Sequence, residues 1–326
     1  AGRKVIMKIN FKQLPDKIQE VANSNNGLRQ ALRRLETGTS DTPRSWFYEE
    51  KDPSWIIDTI VSKLKGMREY HDISDWDLSK VNKFAPLGRS APLKDRLNTL
   101  NEYFEHLDSP QILKDPIWKK AKLEAIRRLG FNESGSPISA AQVVARGVLE
   151  DKYNTNSGWP LFVKRKTDEA KNEAIADADS CIAEQFPCVL GSRASIGKTG
   201  EDARHIFMAS MAVNVNGQRF QQPLQDYIRS KQLDFFLPWE GWDTVQAKIS
   251  QTWDTHVLKF GADYTKMDQH FNKYHGQEVL DVIKHYFKKE YWDELAQIIE
   301  YVFQMPILTN LGYIDQEHAM PSGSEW

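Results

Sequence analysis

Cysteine, long apolar runs and net charge are all scarce in this chain of 326 residues. The only cysteines are Cys181 and Cys188, a C-x6-C pair with neither the multiplicity of a disulfide framework nor the spacing of a zinc site. Free thiols in a reducing compartment are the expectation. No stretch approaches the ~18 consecutive apolar residues of a membrane-spanning helix, and the N-terminus AGRKVIMKINFKQLPD has no signal-type apolar core. A soluble, intracellular protein that does not insert in a membrane is expected. Lys and Arg number 43 against 45 Asp and Glu, leaving a formal charge of -2. Such a molecule supplies no long-range pull on a polyanion, so any nucleic-acid binding must come from local patches. Sequence repeats and low-complexity tracts are also missing.

What is present is ordinary globular material with an aromatic surplus. Hydrophobic residues make up 40% and charged residues 27%, which excludes collagen-like, coiled-coil and wholly disordered classes. At roughly 150 residues per domain, the length predicts two lobes or one large interleaved domain. Ten Trp, eleven Tyr and fifteen Phe can fill a core or stack on bases; Trp239, Trp242 and Trp253 are expected in the core.

The pattern is mostly helical. Ile56, Ile57, Ile60, Val61 and Leu64 share one face of a helix entered through Asp52 and stopped at Gly66. Leu93, Leu97, Leu100, Phe104 and Leu107 predict a second helix, and residues 116–129, closing at Gly130, a third. The third belongs to a basic run with Lys114, Lys119, Lys120, Lys122, Arg127 and Arg128, either a solvated face or an RNA-binding one. Residues 187–200 read as irregular, 205–209 as a buried strand, and Ser210 as the cap of a helix running towards Arg229. A strand over 256–262 is expected to end on Asp263. Two amphipathic helices and a hairpin turning near 310–312 follow. His270 and His275 have no cysteine or carboxylate quartet around them and read as solvated or core histidines.

Four short segments could carry chemistry. Asp263 and Asp268 stand five residues apart where a strand would turn into a helix; two carboxylates so placed can face one cavity and suit a hard cation such as Mg2+, although a solvated turn would look the same. Met320-Pro321-Ser322-Gly323 is turn chemistry. The segment from Gly191 to Ala209 sets Arg193, Lys198 and Arg204 around glycines, a bidentate fork and point charges suited to a triphosphate. It is not a Walker loop, because Ser192 stands where GxxxxGK[ST] needs glycine. Lastly, Thr155-Asn156-Ser157-Gly158-Trp159-Pro160, followed by Lys164, Arg165 and Lys166, suits guidance of a single strand's backbone. It could equally be a surface loop before a helix capped at Thr167 or Asp168.

In chain order these segments resemble the motif series of viral RNA-dependent RNA polymerases. The TNSGWP loop is similar to motif G at the template entrance, GKTGEDARHIFMAS to motif F, FGADYTKMD to motif A, and MPSG to the start of motif B. The texts SRASIGKTGEDARHIFMASMAVN and GADYTKMD most resemble the picobirnavirus type, with partitiviruses next. The resemblance covers about half the chain, from Thr155 onward, and implies an α+β right-hand polymerase fold, mostly helical with a small antiparallel palm sheet. By position it assigns residues 1–95 to an extension bridging fingers and thumb, 96–253 to fingers, and 254–326 to the start of the palm with interleaved fingers helices.

The same resemblance implies roles. Asp263 would be a ligand of the catalytic Mg2+ ions, or of Mn2+ in their place, and Asp268 would sense the ribose 2'-OH. Arg204, Lys198 and Arg193 would meet the incoming triphosphate, Ser322 and Gly323 the templating base, and Thr155, Ser157, Gly158, Lys164 and Arg165 the template. RNA template, nascent strand and nucleoside triphosphates are the implied partners, with viral capsid protein beside them, inside the virion and in the host cytoplasm. One departure is plain: Asp-Asp occurs nowhere in the chain, so the Gly-Asp-Asp of motif C is missing, as are the rest of motif B and the thumb. A longer polymerase cut within motif B is the expectation, inactive in this form. The competing class is a non-catalytic RNA-binding or capsid-associated protein using the basic run near Lys119. A reverse transcriptase fits less well, since an aromatic gate is expected where Asp268 stands.

Overall fold

A computed structural model describes residues 7–40, 50–67, 71–81, 88–180, 185–195, 199–255 and 258–321. Lys198, Ser322, Gly323 and Cys181 therefore lie outside the described residues. The chain divides into two compact units, Ala1–Asn101 with Val189–Met208 and Ile307–Ile314, and Glu102–Cys188 with Ala209–Pro306 and Asp315–Trp326.

The first unit carries helices α1 (Asp16–Ser24), α2 (Asn26–Thr37), α3 (Pro53–Gly66), α4 (His71–Leu78) and α5 (Leu97–Asn101). Polar caps start two of them: Asn25 accepts the N–H of Leu28, and Asp52 those of Ser54 and Trp55. Its sheet joins β1 (Phe11–Lys12), β2 (Cys188–Arg193), β3 (Arg204–Met208), β4 (Ile307–Thr309) and β5 (Gly312–Ile314) in the order β1-β5-β4-β2-β3. β4 and β5 form the expected hairpin, its turn braced by the Thr309 hydroxyl, which donates to the Gly312 carbonyl and accepts from the Leu311 N–H. Val189, Leu190, Phe207, Ile307, Leu308 and Ile314 are buried.

Three expectations need correction. Residues 188–193, read as irregular, are strand β2, because the ladder with β3 overrides the weak strand propensity of Gly191 and Ser192. The continuous helix over 93–107 is broken into 3-10 turns at Leu93–Arg96 and Glu102–Phe104 around the short α5. Thr99 donates its hydroxyl to the Arg96 carbonyl, and such local bonds compete with regular helix. The strand expected before Asp263 is not formed over 258–262, and 256–257 lie outside the described residues. Leu258 and Phe260 are 87% and 90% exposed with no ladder partner among the described residues, and a strand needs one. The sheet is thus built from other segments than the expected one.

Arg96 is 1% exposed. Its Nε donates to the Ala91 carbonyl at 3.1 Å, one Nη to the Ala203 carbonyl at 3.0 Å, and the other Nη to the Ser192 hydroxyl. Beside it, His205 is buried with Nε2 2.9 Å from the Thr99 hydroxyl. Burial, and then the neighbouring Arg96 charge, push the His205 pKa down to about 3. The unfolded value is about 6.5, so between these limits the unfolded chain binds the extra proton. The stability held by neutral His205 is complete above about pH 6.5 and is lost as pH falls towards 3. His275 and His318 are shifted downward by burial as well. We expect the thermal midpoint to drop between pH 7 and pH 5, and to drop less in His205→Asn; equal drops would remove His205 as a source.

The second unit is helical: α6 (Pro116–Leu129), α7 (Ala140–Leu149), α8 (Asp168–Asp179), α9 (Met211–Ser230), α10 (Trp242–Thr252), α11 (Met267–His270), α12 (Lys273–Ile283) and α13 (Trp292–Gln304). Asp115 caps α6, Ser139 with Gln142 closes a capping box on α7, and Thr167 and Ser210 cap α8 and α9. α6 ends on Gly130 at φ 66, a left-handed cap that glycine adopts without a Cβ clash. One core packs Ala170, Ala174 and Ala178 of α8 with Val143, Val144, Met211 and Val215; small residues every fourth position let helices approach closely. The other joins Phe220, Leu224 and Ile228 to Phe287, Leu295, Ile299 and Phe303. Trp239, Trp242 and Trp253, expected in the core, are instead 41%, 72% and 54% exposed. Trp242 begins α10, which buries none of its residues, and Trp239 and Trp253 flank it.

Candidate active site

Asp263 lies in an irregular segment, exposed, with no hydrogen bond or ion pair among the described residues. Three residues on, Lys266 takes a left-handed conformation at φ 54, a costly one for a side chain with a Cβ. A two-pronged ion pair holds it there, with Nζ 2.7 Å from each carboxylate oxygen of Glu102. That kink starts α11 and places Asp268 half-buried, its Oδ1 accepting the N–H of Gln269 and its Oδ2 accepting the Tyr103 hydroxyl at 2.7 Å. Asn272 caps α12 and also donates to the carbonyls of His106 and Asp108. Sequence reasoning missed Glu102, Tyr103 and Asn272; the first two meet their partners across more than 160 residues, a pairing no local pattern encodes.

The chain approaching Ser322 is tied to the same place. The N–H groups of His318, Ala319 and Met320 donate to the carbonyls of Phe303, Tyr103 and Phe271 at 3.0, 2.8 and 2.7 Å. Backbone bonds therefore hold the entry to the MPSG segment beside the residues that hold Asp268.

The TNSGWP loop folds back on itself. Ser157 is 4% exposed: its N–H donates to the Val163 carbonyl, its hydroxyl accepts from the Val163 N–H, and its carbonyl accepts the N–H of Met211 at the start of α9. Gly158 at φ 69 brings the chain so near Ala209 that a Cβ would stand 2.8 Å from its carbonyl oxygen. Ser157 and Gly158 therefore shape the loop from inside, while Thr155 and Lys164 are exposed and Arg165 half-exposed. Lys164 and Arg165 each reach a carbonyl of the loop, those of Asn154 and Asn156.

In the first unit, the β2–β3 register sets Arg193 directly opposite Arg204 at the end of the ladder joined by residues 194–203. Both are exposed, and neither has an ion pair among the described residues. Like charges directly opposite destabilise a strand pair; an anion bound between them reverses the sign. The register makes a two-pronged cationic fork of two exposed arginines eleven apart in sequence.

No protein-family model matches the chain. The potential RNA-dependent RNA polymerase of human picobirnavirus (strain Human/Thailand/Hy005102/-) is 24% identical over 321 residues, which cover 92% of this chain and 58% of that protein. The crystal structure of the RNA-dependent RNA polymerase of a human picobirnavirus superposes with a TM-score of 0.71 at 21% identity, over 96% of this chain and 62% of that one. The chain has a picobirnavirus polymerase fold. The insertion loop deletion mutant of that polymerase gives 0.70 at 22% identity, over 96% and 64%. The chain spans about three fifths of the length of these relatives.

On this polymerase fold the other charged and aromatic features take structural places. Lys122, partly buried, is 2.6 Å from Glu278 and 3.0 Å from Asp281, whereas Arg127 and Arg128 share the one Glu124 carboxylate at the surface and Lys114, Lys119 and Lys120 are exposed. The two arginines hold the Glu124 carboxyl well below its usual range, at about 2. His275 stacks on Phe271 and closes the cap of α12, and the His270 ring lies 4.4 Å from that of His106. Cys188 is fully buried, which raises its thiol pKa and keeps it protonated.

Proposed function

We propose that this chain is the N-terminal extension (1–95), fingers (96–253) and start of the palm (254–326) of an RNA-directed RNA polymerase of a double-stranded RNA virus. The reading is supported above all by backbone likeness over 96% of the chain, and the freely exposed Asp263 and the Arg193–Arg204 fork suit its chemistry. RNA template, nascent strand and nucleoside triphosphates are its substrates. Genome replication and transcription inside the virion and the host cytoplasm, beside the capsid protein, belong to the same reading.

Mg2+ takes hard oxygen ligands, often one or two carboxylates with substrate phosphates. The exposed, uncommitted Asp263 carboxylate fits that need and would hold the ion; Mn2+ would use the same oxygens. No cluster of three or more acidic, His or Cys ligands occurs among the described residues, so Asp263 would hold the ion together with substrate phosphate oxygens. When bound, the ion supplies Lewis acidity at the reacting phosphate.

The remaining roles belong to the chain itself. A nascent-strand 3'-OH loses its proton to solvent water and attacks the α-phosphate of the nucleotide; the new O–P bond forms as the bond to pyrophosphate breaks, and pyrophosphate leaves. Arg193 and Arg204, with Lys198, offset the charge that builds on the phosphates. Asp268 accepts the ribose 2'-OH, Ser322 and Gly323 support the templating base, and Thr155, Lys164 and Arg165 meet the template backbone over the platform built by Ser157 and Gly158. Lys122 is paired with Glu278 and Asp281, while Lys114, Lys119 and Lys120 are exposed as on any solvated helix face, so the basic run supplies no observation that prefers the non-catalytic reading.

The test is incorporation of labelled GMP by the full-length protein on a poly(C) template with an oligo(G) primer and Mg2+. Product that depends on template and metal and favours GTP over dGTP is expected. Incorporation indifferent to the template, or none under any divalent cation, would sink the reading.

A further inference from the structure

Tyr103 stands far from every recognised motif in sequence, yet it joins two of them. Its side chain is 3% exposed, and its hydroxyl donates to Asp268 Oδ2 at 2.7 Å. Its carbonyl accepts the N–H of Ala319 at 2.8 Å, three residues before Ser322. Its neighbour Glu102 grips Lys266, and Phe104 sets its ring edge-on to buried His318. One 3-10 turn, Glu102–Phe104, thus fixes the kink before Asp268, the Asp268 carboxylate and the strand of chain leading to the MPSG segment.

We infer that Tyr103 is a specificity-determining positioning residue, which orients the Asp268 carboxylate towards the ribose 2'-OH and so sets preference for ribonucleotides. The inference rests on the polymerase reading and on the ribose role of Asp268. The Gln269 N–H meets one oxygen of the Asp268 carboxylate from the adjoining residue, a local bond that leaves the second oxygen to be directed by Tyr103. A buried phenol fixes that direction: the donor sits on a rigid ring, and a charge-assisted O–H to carboxylate bond is among the stronger neutral-to-ion contacts. The consequence is asymmetric. A deoxynucleotide has no 2'-OH to meet, so loosening Asp268 costs the ribonucleotide binding and leaves the deoxynucleotide nearly untouched.

Tyr103→Phe removes the hydroxyl and keeps the ring. On a primed RNA template, the full-length protein is expected to lose roughly tenfold in its kcat/KM preference for ATP over dATP, about the worth of one charge-assisted hydrogen bond. The loss should fall on KM for ATP, with KM for dATP and the melting temperature near wild type. Asp268→Asn should lower the same ratio, and Tyr103→Phe added to Asp268→Asn should lower it no further, because both changes cut one interaction. Glu102→Gln, which loosens the kink from its other side, should move the ratio in the same direction.

An unchanged ratio in Tyr103→Phe, with Asp268→Asn still lowering it, would overturn the inference while the polymerase reading stands. Equal losses for both nucleotides with a lowered melting temperature would also overturn it, leaving Tyr103 a packing residue. If Asp268→Asn leaves the ratio at its wild-type value, the ribose role of Asp268 falls and the inference with it. If the wild-type protein makes no RNA under the conditions of the GMP assay, the polymerase reading itself has failed.

Discussion

Asp263→Ala is expected to cost the full-length protein roughly a thousandfold or more in Mg2+-dependent RNA synthesis, since a metal-held charge contributes several kcal/mol at the transition state. Stability should hardly move. Asp263 is exposed and makes no hydrogen bond or ion pair among the described residues, and such surface substitutions stay within about 0.5 kcal/mol. That combination distinguishes a reacting-centre carboxylate from a structural one. An N-cap or salt-bridged aspartate would give the reverse result, a lower melting temperature with activity falling only as folded protein is lost. Asp263→Glu keeps the charge but lengthens the arm by a methylene, and it should recover only a small part of the rate. Synthesis retained at more than about a tenth of wild type in Asp263→Ala would remove this residue from the chemistry.

Arg96→Ala is expected to be the most destabilising of the proposed substitutions, by about 3 to 5 kcal/mol, through two additive losses. It empties the space of a large buried side chain, and it strips donors from the Ala91 and Ala203 carbonyls and from Ser192. That is a large share of the 5 to 15 kcal/mol that typically holds a domain. The guanidinium has no carboxylate beside it among the described residues, and burial lowers its pKa. Three neutral acceptors in fork geometry keep it in place, so Arg96→Lys should rescue little: an ammonium is a point donor and cannot span them. Urea denaturation of the first-unit signal reads the effect as a lower midpoint at unchanged slope. A change under about 1 kcal/mol would mean that water replaces the fork. Because Arg96 also depresses His205, its removal should flatten the acid side of the stability profile.

Helix ends were the most legible part of the fold. Asp52, Thr167 and Ser210 cap the helices that follow them, and Gly130 closes α6, because a cap is a bond between residues two or three apart and its signal is local. The β4–β5 hairpin was legible for the same reason. Strands that depend on a distant partner were not: β2 forms because β3 pairs with it, and residues 258–262 stay irregular because nothing among the described residues does. The tryptophans failed as core markers, since an aromatic's burial depends on what covers it rather than on its own hydrophobicity.

The candidate site divides along the same line. The order of the TNSGWP, GKTGEDAR, GADYTKMD and MPSG segments, and with it the resemblance to a polymerase, was carried by the sequence alone, because the chemistry of close approach and charge is written in residue types. Scarce net charge and absent Asp-Asp were likewise facts of composition. Tertiary structure decided which charges remain available: it pairs Lys122 with Glu278 and Asp281, and it sets Arg193 across from Arg204. It also decided that Ser157 works from inside its loop and that Tyr103 holds Asp268. Hydrogen bonds such as Tyr103 to Asp268, 165 positions apart, and ladder registers such as Arg193 across from Arg204 exist only once the chain has closed on itself, and no local pattern of residue types encodes them.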